Sequence, residues 1–178
     1  MQTFTNKITL HSVFGNLIRP QHVLIILRDN QGNYLLGVKP DFYPAGIYRF
    51  PGGGVEANES PQQAVRREFQ EEIGIKPVAN DIKLLAQIVT RGIWDKQTFK
   101  NTTYLFEYRL KPTDKLTPGD DITALKIHSR EELVKLIDAY RSLGLDDWYI
   151  ENNEKLHNWF DYGQMYAYIH EVALKITS

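Results

Sequence analysis

Apolar and polar positions along the chain change period several times, and each change marks an element. Residues 23–27 (Val-Leu-Ile-Ile-Leu) form an unbroken apolar run of strand length, the pattern of a strand buried on both faces. The stretch Asp29-Asn30-Gln31-Gly32-Asn33 is dense in turn formers, and residues 34–38 follow as a second strand, so the two read as a hairpin. Pro40 and Pro44 mark a loop before a short strand at residues 47–50. Ser60 then offers an N-cap, Pro61 suits the first helical position and Gln63 completes a capping box. Gly74 and Pro77 end that helix. Two strands are predicted next, over residues 82–89 and 102–110. In the second, Tyr104, Phe106 and Tyr108 share one face, with Leu105, Glu107 and Arg109 on the other. Residues 125–127 suggest a further short strand, and Ser129-Arg130-Glu131-Glu132 opens a helix running to about residue 140. From about residue 153 the chain reads as an aromatic-rich helix. Strands, helix, strands, helices: this order predicts one mixed α/β domain over residues 1–178, with residues from about 141 onward a helical extension.

Composition narrows the partners. At 178 residues the chain is long enough to bury a core without staples, and its charged fraction of 24% is ordinary for a globular protein. A net charge of −1 argues against a general nucleic-acid or anionic-membrane binder. With no cysteine, disulfides, thiol catalysis and thiolate metal sites are excluded. The N-terminus lacks a charged leader with a long apolar core, and the run at 23–27 is too short to span a bilayer, so a cytoplasmic location is expected.

The helix after Ser60 carries an unusual charge pattern. Glu68, Glu71 and Glu72 are related by i, i+3 and i+4, so an α-helix places all three on one face. Like-charge pairs at these spacings cost roughly 0.2–0.5 kcal/mol each. Near a helix C-terminus the macrodipole adds about 0.3–1 kcal/mol per anion. A solvated acidic face is one reading, since Glu is a good helix former. A divalent-metal site is the other, because carboxylate oxygens are hard ligands suited to Mg²⁺ or Mn²⁺. Phe50-Pro51-Gly52-Gly53-Gly54 brings bare backbone to the same unit, where a carbonyl can also turn towards a cation.

Gly53, Glu59, Arg67, Glu68, Phe69, Glu71, Glu72, Gly74 and Ile75 together resemble the signature of the Nudix hydrolase family, Gly-x5-Glu-x7-Arg-Glu-U-x-Glu-Glu-x-Gly-U with U a bulky apolar residue. Every fixed position is filled. The resemblance implies an α/β/α sandwich and metal-dependent hydrolysis of a nucleoside diphosphate linked to a further group X, by attack of water on phosphorus. It implies Mg²⁺ or Mn²⁺ as cofactor, Glu68, Glu71 and Glu72 as metal ligands with a carbonyl near Gly53, Arg67 holding the glutamates, and Glu59 in support. A second acid is expected before the following helix. Asp120 and Asp121 occupy such a place, Asp121 the better of the two. Glu68 is the other candidate base, and a simple Pro-Gly-Asp turn the competing reading of the segment.

The resemblance leaves X open between nucleotide sugars, nucleoside triphosphates and dinucleotides. Residues 78–111 hold no proline of the ADP-ribose hydrolase kind, and the arginine motif of coenzyme A hydrolases is matched only in part. Tyr43, Tyr48 and Trp94 are candidates for stacking on a base. Arg49 and Arg91 are candidates for phosphate contacts, with Lys39 a third. The five histidines show no metal-ligand spacing. The aromatic C-terminal segment is expected to cover the sandwich or to contribute to a homodimer. Two other functions stand beside hydrolysis. A nucleotide sensor would tolerate a degenerate signature, and this one is intact. An isoprenoid-diphosphate isomerase of the familiar kind needs a cysteine.

Overall fold

The apolar run at 23–27 lies inside a mixed sheet, with both of its faces covered. The computed structural model describes residues 1–12, 19–119 and 122–178. Among these the strands are β1 (Gln2–Thr9), β2 (Gln21–Arg28), β3 (Tyr34–Val38), β4 (Lys83–Trp94), β5 (Gln97–Arg109) and β6 (Ala124–His128), in the spatial order β1-β4-β5-β2-β3-β6. Strand β1 runs parallel to β4 and β2 parallel to β5, while the other neighbours are antiparallel. The helices are α1 (Pro61–Glu68), α2 (Arg130–Arg141) and α3 (Trp159–Ile176), with a small hairpin of β7 (Trp148–Glu151) and β8 (Glu154–Asn158) ahead of α3.

Alternation along β2 divides the core in two. Val23, Ile25 and Leu27 pack with Ala64, Val65, Phe69 and Ile73 of the α1 unit and with Phe106 and Tyr108 of β5. Leu24 and Ile26 point to the opposite face, where Leu133, Leu136, Tyr140, Tyr166 and Ile169 from α2 and α3 meet them. Helices therefore sit on both faces of one sheet, the α/β/α sandwich. The C-terminal aromatics are absorbed here: Tyr162, Tyr166 and Tyr140 are fully buried, so covering the sandwich accounts for them within one chain. Asp161 of α3 is also buried. It accepts the backbone N–H of His11 at 2.7 Å and of Ser12 at 2.8 Å, joining the end of β1 to the last helix.

Several boundaries differ from the sequence reading. Strand β1 has only Phe4 and Ile8 facing the core, too few apolar positions to announce a strand. The strands expected at 82–89 and 102–110 are longer, because Asp95 and Lys96 both take positive φ (43° and 63°) and close a tight hairpin between β4 and β5. Residues 47–50 form no strand but a single bridge between Gly37 and Arg49. The helix expected from about 153 begins at Trp159, after β7 and β8. Their turn is Asn152-Asn153, both at positive φ (50° and 64°), which asparagine tolerates better than most residues. No helix among the described residues is long and apolar enough to cross a membrane.

Candidate active site

Ser60 starts α1 as its sequence suggests, its side chain accepting from Gln63 N–H and its own N–H donating to Gln63 Oε1. The α-helical ladder ends at Glu68, and Phe69–Ile73 form a π-helical turn closed by Gly74 at φ 76°. Such wide turns concentrate at functional sites. Here the widened turn accompanies a division of the three glutamates that a regular helix does not predict. Glu68 and Glu72 are buried, whereas the Glu71 side chain is 44% exposed.

The glycine-rich loop lies along β2, with Val23 N–H donating to Gly53 O at 2.9 Å and Ile25 N–H to Pro51 O at 2.8 Å. Gly52 takes φ 130°, and a Cβ there would clash with Val23 O, so no other residue fits without a shift. Gly52 N–H donates to Glu72 Oε2 at 2.5 Å. A side chain on Gly53 would run into the Glu68 carboxylate, so loop and helix approach as closely as glycine allows. The Gly53 carbonyl is already an acceptor for Val23, with its second lone pair left for a cation.

Arg67 organises the acids. Its Nε and Nη2 grip Glu59 in a two-pronged contact at 3.1 Å each, Nη2 reaches Gly54 O at 2.9 Å, and Nη1 donates to Glu68 Oε1 at 2.7 Å and Glu71 Oε2 at 2.9 Å. That fork lowers the Glu59 carboxyl below its ordinary range. Burial raises Glu68, against the pull of Arg67. Burial likewise raises Glu72, to about 7, with Arg49 and the Gly52 N–H opposing.

These residues face a cleft of about 410 Å³ whose walls also include Arg19, Lys39, Phe42, Tyr43, Arg49 and Glu56. Arg49 donates to Gly52 O at 2.9 Å and Tyr166 Oη at 3.2 Å, with its guanidinium 6.0 Å from the Tyr43 ring centre. Among the described residues no three acids or imidazoles converge tightly enough to cage a metal unaided. Mg²⁺ is commonly held by one or two carboxylates completed by waters and substrate phosphates. Two buried hard-oxygen donors, Glu68 and Glu72, beside a bare glycine carbonyl are a donor set of that kind, so the residues present fit such an ion.

The structure thus brings Lys39, Arg49, Gly53, Arg67, Glu68, Glu71 and Glu72 to one cleft. It does not bring the other three substrate candidates there. Tyr48 lines a separate depression with Pro40 and Pro44, its hydroxyl bonded to Lys126 Nζ at 3.0 Å. Arg91 and Trp94 belong to β4 rather than to a loop at the cleft. Arg91 opens onto a different concavity, and Trp94 ends the strand opposite Gln97. Asp120 and Asp121 lie outside the described residues. Arg19 and Phe42 were missed, since no local motif marks them. Arg19 reaches the cleft because Pro20 and Gln21 run beside β5, a non-local pairing.

The family model for the NUDIX domain matches residues 18–149. An RNA pyrophosphohydrolase of Cellvibrio japonicus is 42% identical over 71 residues, 40% of this chain and 38% of that protein. An 8-oxo-dGTP diphosphatase of Proteus vulgaris is 43% identical over 51 residues, 28% of this chain and 46% of that protein. The chain therefore spans less than half the length of these two relatives. In three dimensions, the MutT protein of Methanosarcina mazei Go1 superposes with a TM-score of 0.53 at 20% identity, covering 88% of this chain and 97% of that one, a likeness of fold. The complete signature, the sandwich that presents it and a domain match over most of the length agree: this chain belongs to the Nudix family.

Proposed function

We propose that the protein is a cytoplasmic, metal-dependent pyrophosphohydrolase, a single Nudix domain over residues 1–178, that cleaves the anhydride of a nucleoside diphosphate linked to a further group X. The observation that carries this reading is the pairing of buried Glu68 and Glu72 with cationic Arg49 and Lys39 around one cleft. Carboxylates there suit a cation, and guanidinium and ammonium groups opposite them suit phosphate oxygens. Bound Mg²⁺ or Mn²⁺ supplies charge neutralisation on the diphosphate and an acidified water. Glu68, Glu71 and Glu72 would hold it, with the Gly53 carbonyl. Arg67 keeps Glu68 and Glu71 oriented. Arg49, fixed by Gly52 and Tyr166, and Lys39 bind and align the diphosphate. Glu68 or Asp121 takes the proton from the attacking water. Stacking of a base falls to Tyr43 or Phe42 at the cleft wall.

The names of the two relatives put an oxidised nucleoside triphosphate and RNA beside nucleotide sugars and dinucleotides as candidate substrates. The deciding experiment is a turnover screen with Mg²⁺ and with Mn²⁺. Its substrates are nucleoside triphosphates, nucleotide sugars, dinucleoside polyphosphates, ADP-ribose and 5′-triphosphorylated RNA. Release of pyrophosphate, phosphate or a mononucleotide from any of them is the expected result. Tight nucleotide binding with no turnover on all of them would favour a sensor instead.

A further inference from the structure

Three cations stand side by side on an open part of the sheet, at some distance from the acids. Cross-strand register places Lys7 of β1 opposite Arg91 of β4, and Arg91 opposite Lys100 of β5. All three are exposed and line one concavity of about 490 Å³ with Thr5, Asn6 and Val89. None pairs with a carboxylate among the described residues. Like charges directly opposite one another destabilise a sheet, so the row works against the fold unless an anion lies across it.

The row also leads somewhere. Lys100 shares its face with Phe106 and Tyr108, the face that packs on the α1 unit bearing the glutamates. The next cation along is Arg19. Its carbonyl accepts from Asn101 Nδ2 at 2.8 Å, beside Lys100, and its side chain lies against Gly54 in the wall of the cleft. Lys7, Arg91, Lys100 and Arg19 therefore form one cationic line ending at the candidate active site. With strands roughly 4.8 Å apart, three intervals make a track about 14 Å long. A mononucleotide seated at Glu68 and Glu72 leaves most of that length uncovered, whereas a chain with regularly repeated phosphates covers it.

We propose that the open face of β1, β4 and β5 binds the phosphate backbone of a single-stranded oligonucleotide whose 5′-phosphorylated end enters the cleft past Arg19. This rests on the hydrolase reading for what happens at the 5′ end, but binding along the track does not need it. A net charge of −1 is compatible, since the cations are gathered on one face rather than spread over the surface.

The test compares the intact protein with K7E/K100E, two exposed changes that relieve the repulsion with Arg91 and leave the cleft untouched. Turnover of a 5′-triphosphorylated decamer should fall tenfold or more in kcat/KM, with a nucleoside triphosphate unchanged within about twofold. Equal losses on both substrates, or no loss on either, would overturn the proposal. Binding of a 3′-labelled decamer, followed by fluorescence anisotropy without divalent ions, is the second arm. In K7A/K100A the slope of log affinity against log salt should fall by about 1.4, roughly 0.7 for each phosphate that no longer meets a lysine. An unchanged slope would overturn the track. If neither substrate is cleaved but the decamer still binds through these lysines, the hydrolase reading fails and the track stands.

Discussion

Replacing Glu72 by Gln removes a charge from a place where burial makes charge costly, so activity and stability should move in opposite directions. Glu68→Gln leaves Arg67 a weaker partner, but at Glu72 the amide oxygen can still accept from Gly52 N–H, and E72Q should fold. Turnover is expected to fall by about 100-fold or more. The sign for stability follows from the raised folded value of about 7 against the ordinary 4.5. A carboxyl raised in this way favours folding while protonated, and that contribution is lost as pH rises from 4.5 through 7. Raising the carboxyl from 4.5 to about 7 corresponds to about 3 kcal/mol. Without divalent ions at pH 8, E72Q should therefore melt higher than the unmodified protein. Added Mg²⁺ should raise the melting temperature of the unmodified protein and leave E72Q nearly unmoved; equal metal shifts in both would remove Glu72 from the metal site. The sequence made this residue legible as an acid on the right face. Its burial, as distinct from exposed Glu71, was not legible, because it depends on the π turn and on the loop from Pro51 to Gly54 closing over it.

Elements differ in how openly the chain declares them. Strand β2 is plain because both its faces are buried, and α1 because its cap, first-turn proline and closing glycine agree with one another. Strand β1 hides because Thr3, Thr5, Lys7 and Thr9 take the solvent side and only two apolar residues remain to mark the other. The β7–β8 hairpin hides behind an aromatic run that suits helix or strand, although Asn152-Asn153 marked a turn. The loop over Glu72 depends on a backbone setting no local pattern shows. Gly52 at φ 130° also sits against Val23 O, so G52A should cost roughly 1–3 kcal/mol and loosen the N–H held to Glu72. Urea denaturation and turnover measured together would show both losses. Stability matching the unmodified protein would mean the loop is not confined as described.

At the scale of the molecule, pH acts through histidines that the chemistry does not use. His22 is lowered to about 3 and His170 to about 4, in both cases first by burial, and the Nε2 atom of each has no hydrogen-bond partner among the described residues. A histidine lowered on folding leaves the unfolded chain to bind more protons below pH 6.5, so stability falls as pH drops from 6.5 towards 4. At pH 5 each contributes a loss of about 2 kcal/mol. Protonation of Glu72 offsets part of this in the unmodified protein. In E72Q that offset is gone, and its urea midpoint should fall more steeply between pH 8 and 5. Parallel slopes would count against either assignment.

The clasp of Asp161 on the backbone of His11 and Ser12 also bears on what can be cut away. The family match ends at residue 149, yet α3 begins at Trp159 and fills one side of the sheet with Tyr162, Met165, Tyr166 and Ile169. Homology boundaries and folding boundaries need not coincide. A fragment trimmed to 18–149 keeps every residue of the signature but loses β1 and the helix that covers Leu24 and Ile26. It is expected to emerge as an aggregate or a loosely packed state that binds hydrophobic dye, whereas the full chain stays monodisperse and melts cooperatively. The recognisable part of this protein then carries the signature, and the ends outside the match supply packing that its sheet needs to stay covered.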